Sequence, residues 1–425
     1  MPRVLLLIPS ASYRTPDFMA AAQRLGVDVV VGSERRHPLE SLAPGRSLAL
    51  DLSTPEEGAR QVAEFARHYP LDAVMAVDDA GTLVAARASE LLGLSHNPFA
   101  AVEATRNKHL LRRRLAQGEL LSPRYHLLSV DDDAEAAAAE IAARVGFPCV
   151  VKPLSLSASQ GVIRADDQAG FVAAFERLRA ILADPDVVAD CGETAGQILV
   201  EGYIHGEEVS LEGLLVDGEL RVLALFDKPD PLDGPFFEET IYITPSRLSP
   251  ALQGEIADTA GRAAAALGLR DGPLHAELRV NDGGVWPVDV AARSIGGLCS
   301  RALFFGTGDP ENGLSLEELI LRHATGAEDP SGEREPDAVG VMMIPIPARG
   351  TLRAVRGVEE AEAVPGVSGV TLTIRPGDSV VPLPDGDQYL GFIYSRAESP
   401  EAAEAALRAA HSSLAFEIVR EDESA

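Results

Sequence analysis

The chain is poor in cysteine and in basic residues, and these shortages exclude several classes of protein. It has 3 cysteines in 425 residues, a small and odd number that gives no disulfide framework. The 37 lysines and arginines face 65 acidic residues, for a formal charge of −28. This balance argues against nucleic acid or an anionic membrane as a partner, because both require clustered positive charge. A small anionic ligand stays compatible, because it senses only the local charge.

Long apolar runs are also missing. No window approaches the roughly 20 apolar residues of a membrane span, and the opening run MPRVLLLIPS is too short for a signal peptide and is typical of a first strand. We therefore expect a cytoplasmic protein in a reducing compartment. The hydrophobic content of 46% is ordinary for a globular chain, and a chain of this length contains about three domains.

Strand and helix patterns alternate over residues 1–100. The predicted elements, strand and helix in turn, are 3–9, 16–25, 27–31, 56–69, 72–77 and 82–92. This alternation predicts a doubly wound parallel sheet with right-handed crossovers. The turn after the first strand lacks G-x-G-x-x-G, so a dinucleotide site has no support. Four polar residues follow the strand ends, where they either border a ligand crevice or cap turns: Ser10, Ser12, Asp78 and Asp79.

A second unit, residues 122–199, has a different order of elements. Before it, residues 101–118 are predicted to form one basic helix, in which Lys108 either contacts a nucleotide or belongs to a solvated face. Within the unit we predict strands and helices at 124–128, 134–145, 149–152, 168–182 and 197–200. A strand ending in Lys152 leads into a loop of small residues over 155–161, whose N–H groups and hydroxyls could hold phosphate oxygens. The loop does not match the P-loop pattern, and a flexible serine loop is the alternative.

Residues 274–297 predict a β-hairpin around the turn NDGG. If Asn281 pairs with Val285 across a three-residue loop, Glu277 lies directly opposite Asp289. The same register gives two more pairs, His275 with Ala291 and Arg279 with Pro287. Seven residues then form an apolar face: Leu274, Ala276, Leu278, Val280, Trp286, Val288 and Val290.

The other face of this hairpin carries the two carboxylates, with Arg293 just beyond. Like charges directly opposed destabilise a sheet unless something compensates them. Bound Mg²⁺ would do so, because it takes one or two carboxylates, waters and phosphate oxygens. The alternatives are that both acids reach solvent, or that Arg279 or Arg293 neutralises them.

The remaining chain contains two polar connections and a C-terminal region. Glu201 and Glu208 lie at the ends of a connection between two strands, and a strand over 221–226 leads to Lys228 and a Pro-rich loop through Thr244. We predict a helix from Pro250, capped by Ser249 and ended by Gly268, and another helix over 316–323. A charged linker over 326–337 separates these from a C-terminal α+β region, residues 338–425, with helices at 358–363 and 400–415.

Taken in chain order, several segments resemble the ATP-grasp superfamily, and within it the carboxylate–amine ligases of the L-amino acid ligase type. The segments are AVDDAGTLVAARASELLGL, ATRNKHLLRRRL, GFPCVVKPLSLSASQGV, ILVEGYIHGEEVSLEG, HAELRV and PVDVAARSIGG. The resemblance implies an α/β and α+β architecture: a Rossmann-like N-terminal domain (1–100), an ATP-grasp domain (101–325) with a mobile lid (122–199), and a small C-terminal α+β domain (338–425).

The resemblance also implies a nucleotide site. Lys108 and Lys152 would reach the ATP phosphates from two sides. The mobile loop over the triphosphate would comprise residues 155–161, including Ser155, Ser157, Ser159 and Gly161. The hinge that reads the adenine edge would be residues 201–204, with Glu201, Tyr203 and Ile204. Glu208 would accept hydrogen bonds from the ribose hydroxyls.

For the reacting groups, the resemblance implies that Glu277 and Asp289 hold Mg²⁺, with Mn²⁺ as an alternative. Arg293 would neutralise the transferred phosphoryl group and the acyl intermediate. Two further contacts are expected at Lys228 and His275. The backbone N–H groups of Ser294, Gly296 and Gly297 would hold the substrate carboxylate or an oxyanion, or else form a tight turn without a ligand.

Two departures from the family pattern stand out. Asp289 and Ala291 replace the usual Glu and Asn of the second strand, which puts a second metal ion in doubt, and Gln160 stands where the family often has a small residue. The loops 229–243 and 297–308 are expected to line the substrate pocket, with four phenylalanines that form either an apolar surface or buried packing: Phe236, Phe237, Phe304 and Phe305.

The implied reaction is ADP-forming ligation: ATP converts a small carboxylic acid, such as an amino acid, to an acyl phosphate, which an amine then attacks. The alternatives are a purine-type or bicarbonate-using ligase and an ATP-binding protein without turnover. The expected partners are thus a small acid and an amine, with no nucleic acid and no membrane. A homodimer is the commonest arrangement for such a chain.

Overall fold

The computed structural model describes residues 1–10, 12–35, 44–306, 313–327 and 332–420. Within these ranges no helix has the length and the apolar character needed to cross a membrane. Parts of three predictions lie outside the described residues: 307–308 of the second pocket loop, 328–331 of the linker and 421–425 of the C-terminal region.

The N-terminal region is a doubly wound layer, as predicted. Its elements are β1 (Arg3–Leu7), α1 (Thr15–Leu25), β2 (Asp28–Ser33), β3 (Ser47–Ala49), α2 (Pro55–His68), β4 (Ala73–Ala76) and α3 (Thr82–Leu92). The four strands are parallel in the order β3-β2-β1-β4. Helix α1 ends at Gly26, whose φ of 66° suits glycine. Because β1 and β4 are parallel neighbours, their carboxyl ends lie at the same edge of the sheet, where Asp78 and Asp79 follow β4.

The single helix predicted over 101–118 is wrong, because the segment forms two helices. These are α4 (Phe99–Arg106) and α5 (Lys108–Gln117). Asn107 between them is extended, and its side chain accepts hydrogen bonds from the backbone N–H groups of His109 and Leu110. Asn107 is thus an N-cap in the middle of a helical pattern. The break places Lys108 at the first turn of a new helix.

The segment predicted to be the lid, residues 122–199, forms its own sheet and core. Its elements are β5 (Tyr125–Ser129), α6 (Ala134–Arg144), β6 (Cys149–Pro153), β7 (Ile163–Ala165), α7 (Gln168–Leu182), α8 (Pro185–Cys191) and β8 (Gln197–Gly202). The antiparallel order is β5-β8-β6-β7, and α6 and α7 contribute to the core in which Cys149 is buried. Glu201 belongs to β8, so the connection after it begins at Tyr203 instead of Glu201.

An eight-stranded sheet forms the centre of the molecule. The first segment of the chain that contributes strands to it comprises β9 (Glu207–Val216), β10 (Glu219–Asp227), β11 (Ile241–Thr244), helix α9 (Pro250–Leu267), β12 (Gly272–Asn281) and β13 (Gly284–Ala291). Ser249 caps α9 and Gly268 ends it, as predicted. The prediction of an irregular loop through Thr244 is wrong at its end, because residues 241–244 pair with the C-terminal region as β11.

The C-terminal region is α+β, and three of its strands continue the central sheet. After β14 (Phe304–Phe305), β15 (Leu314–Ser315) and α10 (Leu316–Ala324) come β16 (Ala338–Ile344), β17 (Gly350–Arg356), α11 (Val358–Glu362), β18 (Val367–Leu372), β19 (Ser379–Val380), β20 (Gly391–Ala397), α12 (Pro400–Ser413) and β21 (Ala415–Val419). The central order is β13-β12-β9-β10-β11-β16-β20-β18, and β19-β17-β21 form a separate small sheet. The C-terminal region therefore shares a core with β11.

In the central hairpin Glu277 pairs with Asp289, as predicted, but the turn and the strand register that produce this pair differ from the prediction. Asn281 pairs with Gly284 across a two-residue turn, and a bulge next to Glu277 restores the register. Arg279 therefore lies opposite Trp286, not Pro287. The apolar face is corrected accordingly: Val285 and Pro287 are buried there, whereas the predicted Trp286 and Val288 are only half-buried. Alternation alone could not reveal the bulge, because a bulge shifts the alternation by one residue.

Candidate active site

Three glutamates surround the ammonium group of Lys228. Glu208 lies near the start of β9, Glu277 lies on β12, and Glu239 precedes β11. Lys228 Nζ donates to these carboxylates at 2.8 Å (Glu208), 2.5 Å (Glu239) and 3.0 Å (Glu277). Lys228 also lies over the Tyr242 ring at 5.0 Å from the centroid. Of the alternatives to a bound metal, neutralisation of Glu277 by Arg279 or Arg293 does not hold, because Lys228 balances its charge.

Burial and charge act in opposite directions in this cluster. Burial disfavours charge on Lys228, but the three carboxylates raise its pKa well above the usual value. Burial would raise the pKa of Glu277, yet the Lys228 charge holds it well below its usual range. Burial, aided by the charge of Glu277, raises the pKa of Glu239 to about 7.

The carboxylate oxygens of this cluster are of the kind that binds a divalent cation, and in this structure the Lys228 ammonium lies among them. One carboxylate oxygen from each of Glu208, Glu239 and Glu277 can be chosen so that all lie within 4.8 Å of one another. Mg²⁺ takes oxygen ligands of this kind. Asp289, the other predicted ligand, opposes Glu277 in the ladder but is not a member of the cluster. Its Oδ1 accepts from the backbone N–H of Val290 at 3.0 Å.

His275 links the cluster to a buried carboxylate that sequence reasoning missed. Its Nδ1 lies 3.2 Å from Glu212 Oε2, and its Nε2 lies 3.9 Å from Glu277 Oε1. Burial opposes the imidazolium charge, but bonds to the two carboxylates raise the pKa of His275 to about 9. Burial raises the pKa of Glu212, whose Oε2 also accepts from the Ile295 backbone at 2.9 Å. The only signal for Glu212 was an acid inside the apolar run of β9.

Arg293 joins this site to the N-terminal layer. Its Nη2 donates to Asp79 Oδ2 at 2.8 Å, and Arg106 lies 3.1 Å from the other oxygen of that carboxylate. Burial would raise the pKa of Asp79, but the charges of Arg293 and Arg106 hold it well below its usual range. Ser294 is buried next to Arg293, and its hydroxyl accepts from Arg14 Nη2 at 2.7 Å.

Gly296 and Gly297 lie in the turn that the sequence predicts to bind the substrate carboxylate. Gly296 O accepts from the Cys299 backbone at 3.4 Å. Gly297 has a φ of 63°, and an added Cβ would meet Phe392 Cε1 at 2.9 Å. The turn therefore requires glycine at residue 297 for both conformation and space.

The predicted phosphate side contains Lys152 in a buried ion network. Lys152 Nζ lies 2.8 Å from Glu201 Oε2, and Arg112 binds the same carboxylate at 2.7 and 2.9 Å. Arg112 also donates to the carbonyls of Pro287 and Val288 at 2.7 and 2.9 Å. Arg112, which is fully buried, was missed because its helix has the pattern of a solvated basic face.

This network sets opposite pKa shifts on its members. Burial, reinforced by the Arg112 charge, lowers the pKa of Lys152 to about 8, although Glu201 acts against this shift. Burial would raise the pKa of Glu201, but Arg112 and Lys152 together lower it to about 2. Lys108, the second predicted lysine, donates from Nζ to the Leu156 carbonyl at 2.7 Å, so it contacts the loop that follows Lys152.

The loop over 155–161 has an unusual backbone. Ala158, Ser159 and Gly161 have φ values of 52°, 56° and 71°, and left-handed conformations are costly for residues with a Cβ. Ser155 Oγ lies 2.6 Å from Thr194 Oγ1 within the lid. The Ser157 carbonyl accepts from Gln160 N at 3.1 Å. The N–H groups of Gln160, Gly161 and Val162 are already bonded, to the carbonyls of Ser157, Pro384 and Ser159, and these bonds hold the loop in its left-handed conformation.

The predicted hinge is held by hydrogen bonds, two of them from Arg279. Tyr203 donates from its backbone to Pro148 O at 3.0 Å and from its hydroxyl to Asp233 Oδ1 at 2.8 Å. The Ile204 carbonyl accepts from Arg279 Nη1, and Glu208 Oε2 accepts from Arg279 Nε, both at 2.7 Å. Glu208 is thus shared between Arg279 and Lys228, so it belongs to the hinge and to the carboxylate cluster.

The four phenylalanines of the predicted pocket lie apart. Phe237 stacks with Tyr203 at a centroid distance of 6.3 Å, and Phe236 lies 5.0 Å from the Arg177 guanidinium. Phe304 lies 5.8 Å from the guanidinium of Arg396. Phe305 is buried in the core beneath the central sheet. The four side chains therefore pack in separate places and do not form one apolar surface.

Comparison with known proteins gives three consecutive family matches. The ATP-grasp N-terminal domain matches residues 19–96, the ATP-grasp domain residues 145–302, and the L-amino acid ligase C-terminal domain 2 residues 342–419. The structure is similar to that of L-amino acid ligase from Bacillus licheniformis, with a TM-score of 0.81 and 27% identity over 99% of both chains.

Curated relatives give weaker matches of the same kind. Alanine–anticapsin ligase from Bacillus subtilis is 28% identical over 290 residues, which cover 64% of this chain and 58% of that protein. Dapdiamide A synthase from Enterobacter agglomerans is 25% identical over 322 residues, covering 73% and 71%. The chain thus spans little more than half of the length of the first of these relatives.

Proposed function

Because the chain belongs to the ATP-grasp superfamily, we propose that it is an ATP-dependent, ADP-forming ligase that joins a small carboxylic acid, an amino acid, to an amine. The observation that carries the proposal is the gathering of Glu208, Glu239 and Glu277 around Lys228, with His275 next to Glu277 on β12 and Arg293 just beyond the end of β13. The C-terminal match to L-amino acid ligases supports an amino acid as the acid substrate.

In this proposal Glu277, with Asp289 or with Glu239, would hold Mg²⁺ or Mn²⁺ once the Lys228 ammonium, which lies against Glu277 and Glu239 in this structure, turns away from them. The metal would supply charge neutralisation at the phosphate oxygens. The γ-phosphoryl group of ATP passes to the substrate carboxylate, and ADP leaves. The amine then attacks the acyl phosphate, loses a proton, and displaces phosphate.

The side chains mainly orient the reactants and balance charge. Lys108 and Lys152 attract the triphosphate, and Arg293 neutralises the group in transfer. Glu201, Tyr203, Ile204 and Glu208 are assigned to the adenosine part, and the N–H groups of Ser294, Gly296 and Gly297 to the substrate carboxylate. The lid, which includes the loop 155–161, excludes water that would hydrolyse an acyl phosphate.

The proposed setting is a cytoplasmic enzyme acting on small molecules, as a monomer or homodimer. The three cysteines are unpaired, which agrees with a reducing compartment. Purine-type ligases share the fold: N5-carboxyaminoimidazole ribonucleotide synthetase from Thermotoga maritima has a TM-score of 0.68 at 15% identity. That likeness shows the fold alone, so such chemistry enters as an outcome of the test.

The test is release of ADP and phosphate from Mg·ATP against a panel of amino acids, singly and in pairs, with hydroxylamine as a surrogate amine. Release that needs one acid and yields a hydroxamate would support acyl phosphate chemistry. Glu277→Ala should abolish turnover, whereas Glu219→Ala, at an exposed strand end, should not. Unchanged activity in Glu277→Ala would refute the metal assignment. Turnover only with aminoimidazole- or glycinamide-type nucleotides would favour the purine-type reading.

A further inference from the structure

The loop over 155–161 is anchored from outside the lid. The Gly161 backbone N–H donates to the Pro384 carbonyl at 2.8 Å. The side-chain amide of Gln160 donates to the Asp385 carbonyl at 2.9 Å, across 225 residues of sequence. Both acceptors lie in the segment between β19 and β20. The last two residues of the loop are thus tied to the C-terminal region.

A second contact joins the same segment to the body of the lid. Arg177 of α7 lies against Asp385 in a two-point pair, with Nε to Oδ1 at 3.1 Å and Nη2 to Oδ2 at 3.2 Å. Arg349 donates to the same Oδ2 at 2.9 Å. Asp385 therefore bridges an arginine of the lid and an arginine of the C-terminal region. Arg177 also packs on Phe236, which fixes the direction of its guanidinium.

The backbone of the loop explains why an external anchor matters. Ala158 and Ser159 are both in the left-handed region, which residues with a Cβ adopt only when their surroundings impose it. On the lid side, Gly161 is in close contact with Leu178, since an added Cβ would lie 2.7 Å from its Cδ1. The loop is thus held between the lid core and the 384–385 carbonyls.

We propose that residues 384–385 position the phosphate loop over the ATP triphosphate, with Gln160, Arg177 and Asp385 as positioning residues. The inference rests on the proposed function, because it takes ATP as the ligand of the loop. It also gives a role to Gln160, the residue that departs from the family pattern: its amide provides a bond that a small residue could not make. The C-terminal region is then part of the nucleotide site.

The test measures binding of a non-hydrolysable ATP analogue with Mg²⁺ by calorimetry in the full chain. Arg177→Ala and Asp385→Ala should each raise Kd about three- to tenfold, and the double variant no more than the larger single effect. Gln160→Ala should add to Asp385→Ala, because the backbone carbonyl that Gln160 uses is retained. In steady state, KM for ATP should rise while KM for the acid and Tm stay unchanged.

Arg179→Ala is the matched control. Arg179 is on the same helix, its side chain is 36% exposed against 41% for Arg177, and it donates to Asp132 O inside the lid. It should bind the analogue like the wild type. Limited proteolysis gives a second readout: with analogue present, cleavage within 155–161 should be blocked in the wild type and Arg179→Ala but not in Arg177→Ala.

The outcomes separate the two proposals. If the wild type binds the analogue and Arg177→Ala and Asp385→Ala bind equally well, the positioning role is overturned and the proposed function stands. If Tm and KM for the acid change along with KM for ATP, the contact is merely structural, which also overturns it. If the wild type binds no ATP analogue, the proposed function fails, and this inference fails with it.

Discussion

The protonation of Lys152 should control ATP affinity near neutral pH. Burial, with Arg112 adding to it, lowers the pKa of this lysine from 10.5 to about 8, and only the ammonium form attracts a phosphate. The protonated fraction falls from about 0.97 at pH ~6.5 to about 0.24 at pH ~8.5. Affinity for an ATP analogue should therefore weaken about fourfold over this interval. Bound phosphate favours the charged form, so binding at pH ~8 should take up about half a proton.

Calorimetry in buffers of different ionisation enthalpy measures both quantities. Glu239, with a pKa of about 7, and His275, with a pKa of about 9, also titrate near this range. Lys152→Arg is therefore the control, because arginine stays charged and its pH trend reports only the other groups. A wild-type affinity that follows the same pH trend as Lys152→Arg, or no extra proton uptake at pH ~8, would refute the reasoning.

Raising the pH should affect folding stability through Lys152 in the opposite direction to ATP affinity. Its pKa is lower in the folded chain than the ordinary 10.5, so the unfolded chain binds more protons between pH ~8 and ~10.5. The contribution of Lys152 to the free energy of unfolding should rise with pH across that window and be flat below it. Without ligand, then, raising the pH relieves the buried charge, while with ATP it removes the attraction.

Three further predictions concern single features. Arg112→Met should lower the free energy of unfolding by about 3–5 kcal/mol, because Glu201 would lose its main partner. The control Arg113→Met, on the exposed face of the same helix, should change the free energy of unfolding by less than ~0.5 kcal/mol. Denaturant titration measures both values. Gly297→Ala should cost about 1–3 kcal/mol in thermal unfolding, while Gly254→Ala, which meets nothing within 4 Å, should be neutral or stabilising. Wild-type residues 155–161 should resist proteolysis once ATP analogue and Mg²⁺ are added, and equal cleavage with and without them would count against a covering loop.

The central hairpin shows what alternation in a sequence can establish. Glu277 and Asp289 lie opposite each other, as predicted. Side chains of a strand alternate between the two faces, so the spacing of each carboxylate from the turn predicts that both lie on the same face. The turn was predicted one residue too long and the bulge was omitted, and these two errors cancel at Glu277. They do not cancel at Arg279, whose partner is Trp286. Alternation therefore predicts a face more reliably than the individual partner.

The basic helix shows the opposite case, in which a local pattern misleads. Three consecutive arginines, 112–114, are typical of a solvated face, and Arg113 and Arg114 are indeed exposed. Arg112 points inward, because the helix begins at Lys108 and its register sets residue 112 beside Leu111 and Leu115. The sequence does contain the signal for that start, Asn107 as a capping residue, and using it would have given the correct helix limits. The partner of Arg112 would still have been missing.

Arginines with distant partners, two of them buried, account for contacts of the site that the sequence did not predict. Arg14, Arg112 and Arg293 bind partners 280, 89 and 214 residues away, and no periodicity within a helix or a strand contains such distances. Each joins two regions: Arg14 and Arg293 connect the N-terminal layer with the turn after β13, and Arg112 connects β8 with the backbone of β13. A fixed fork of donors suits this role better than an ammonium group. The carboxylate-bearing strand could thus be predicted from composition and spacing, whereas its position relative to the lid and the N-terminal layer depends on these long-range pairs.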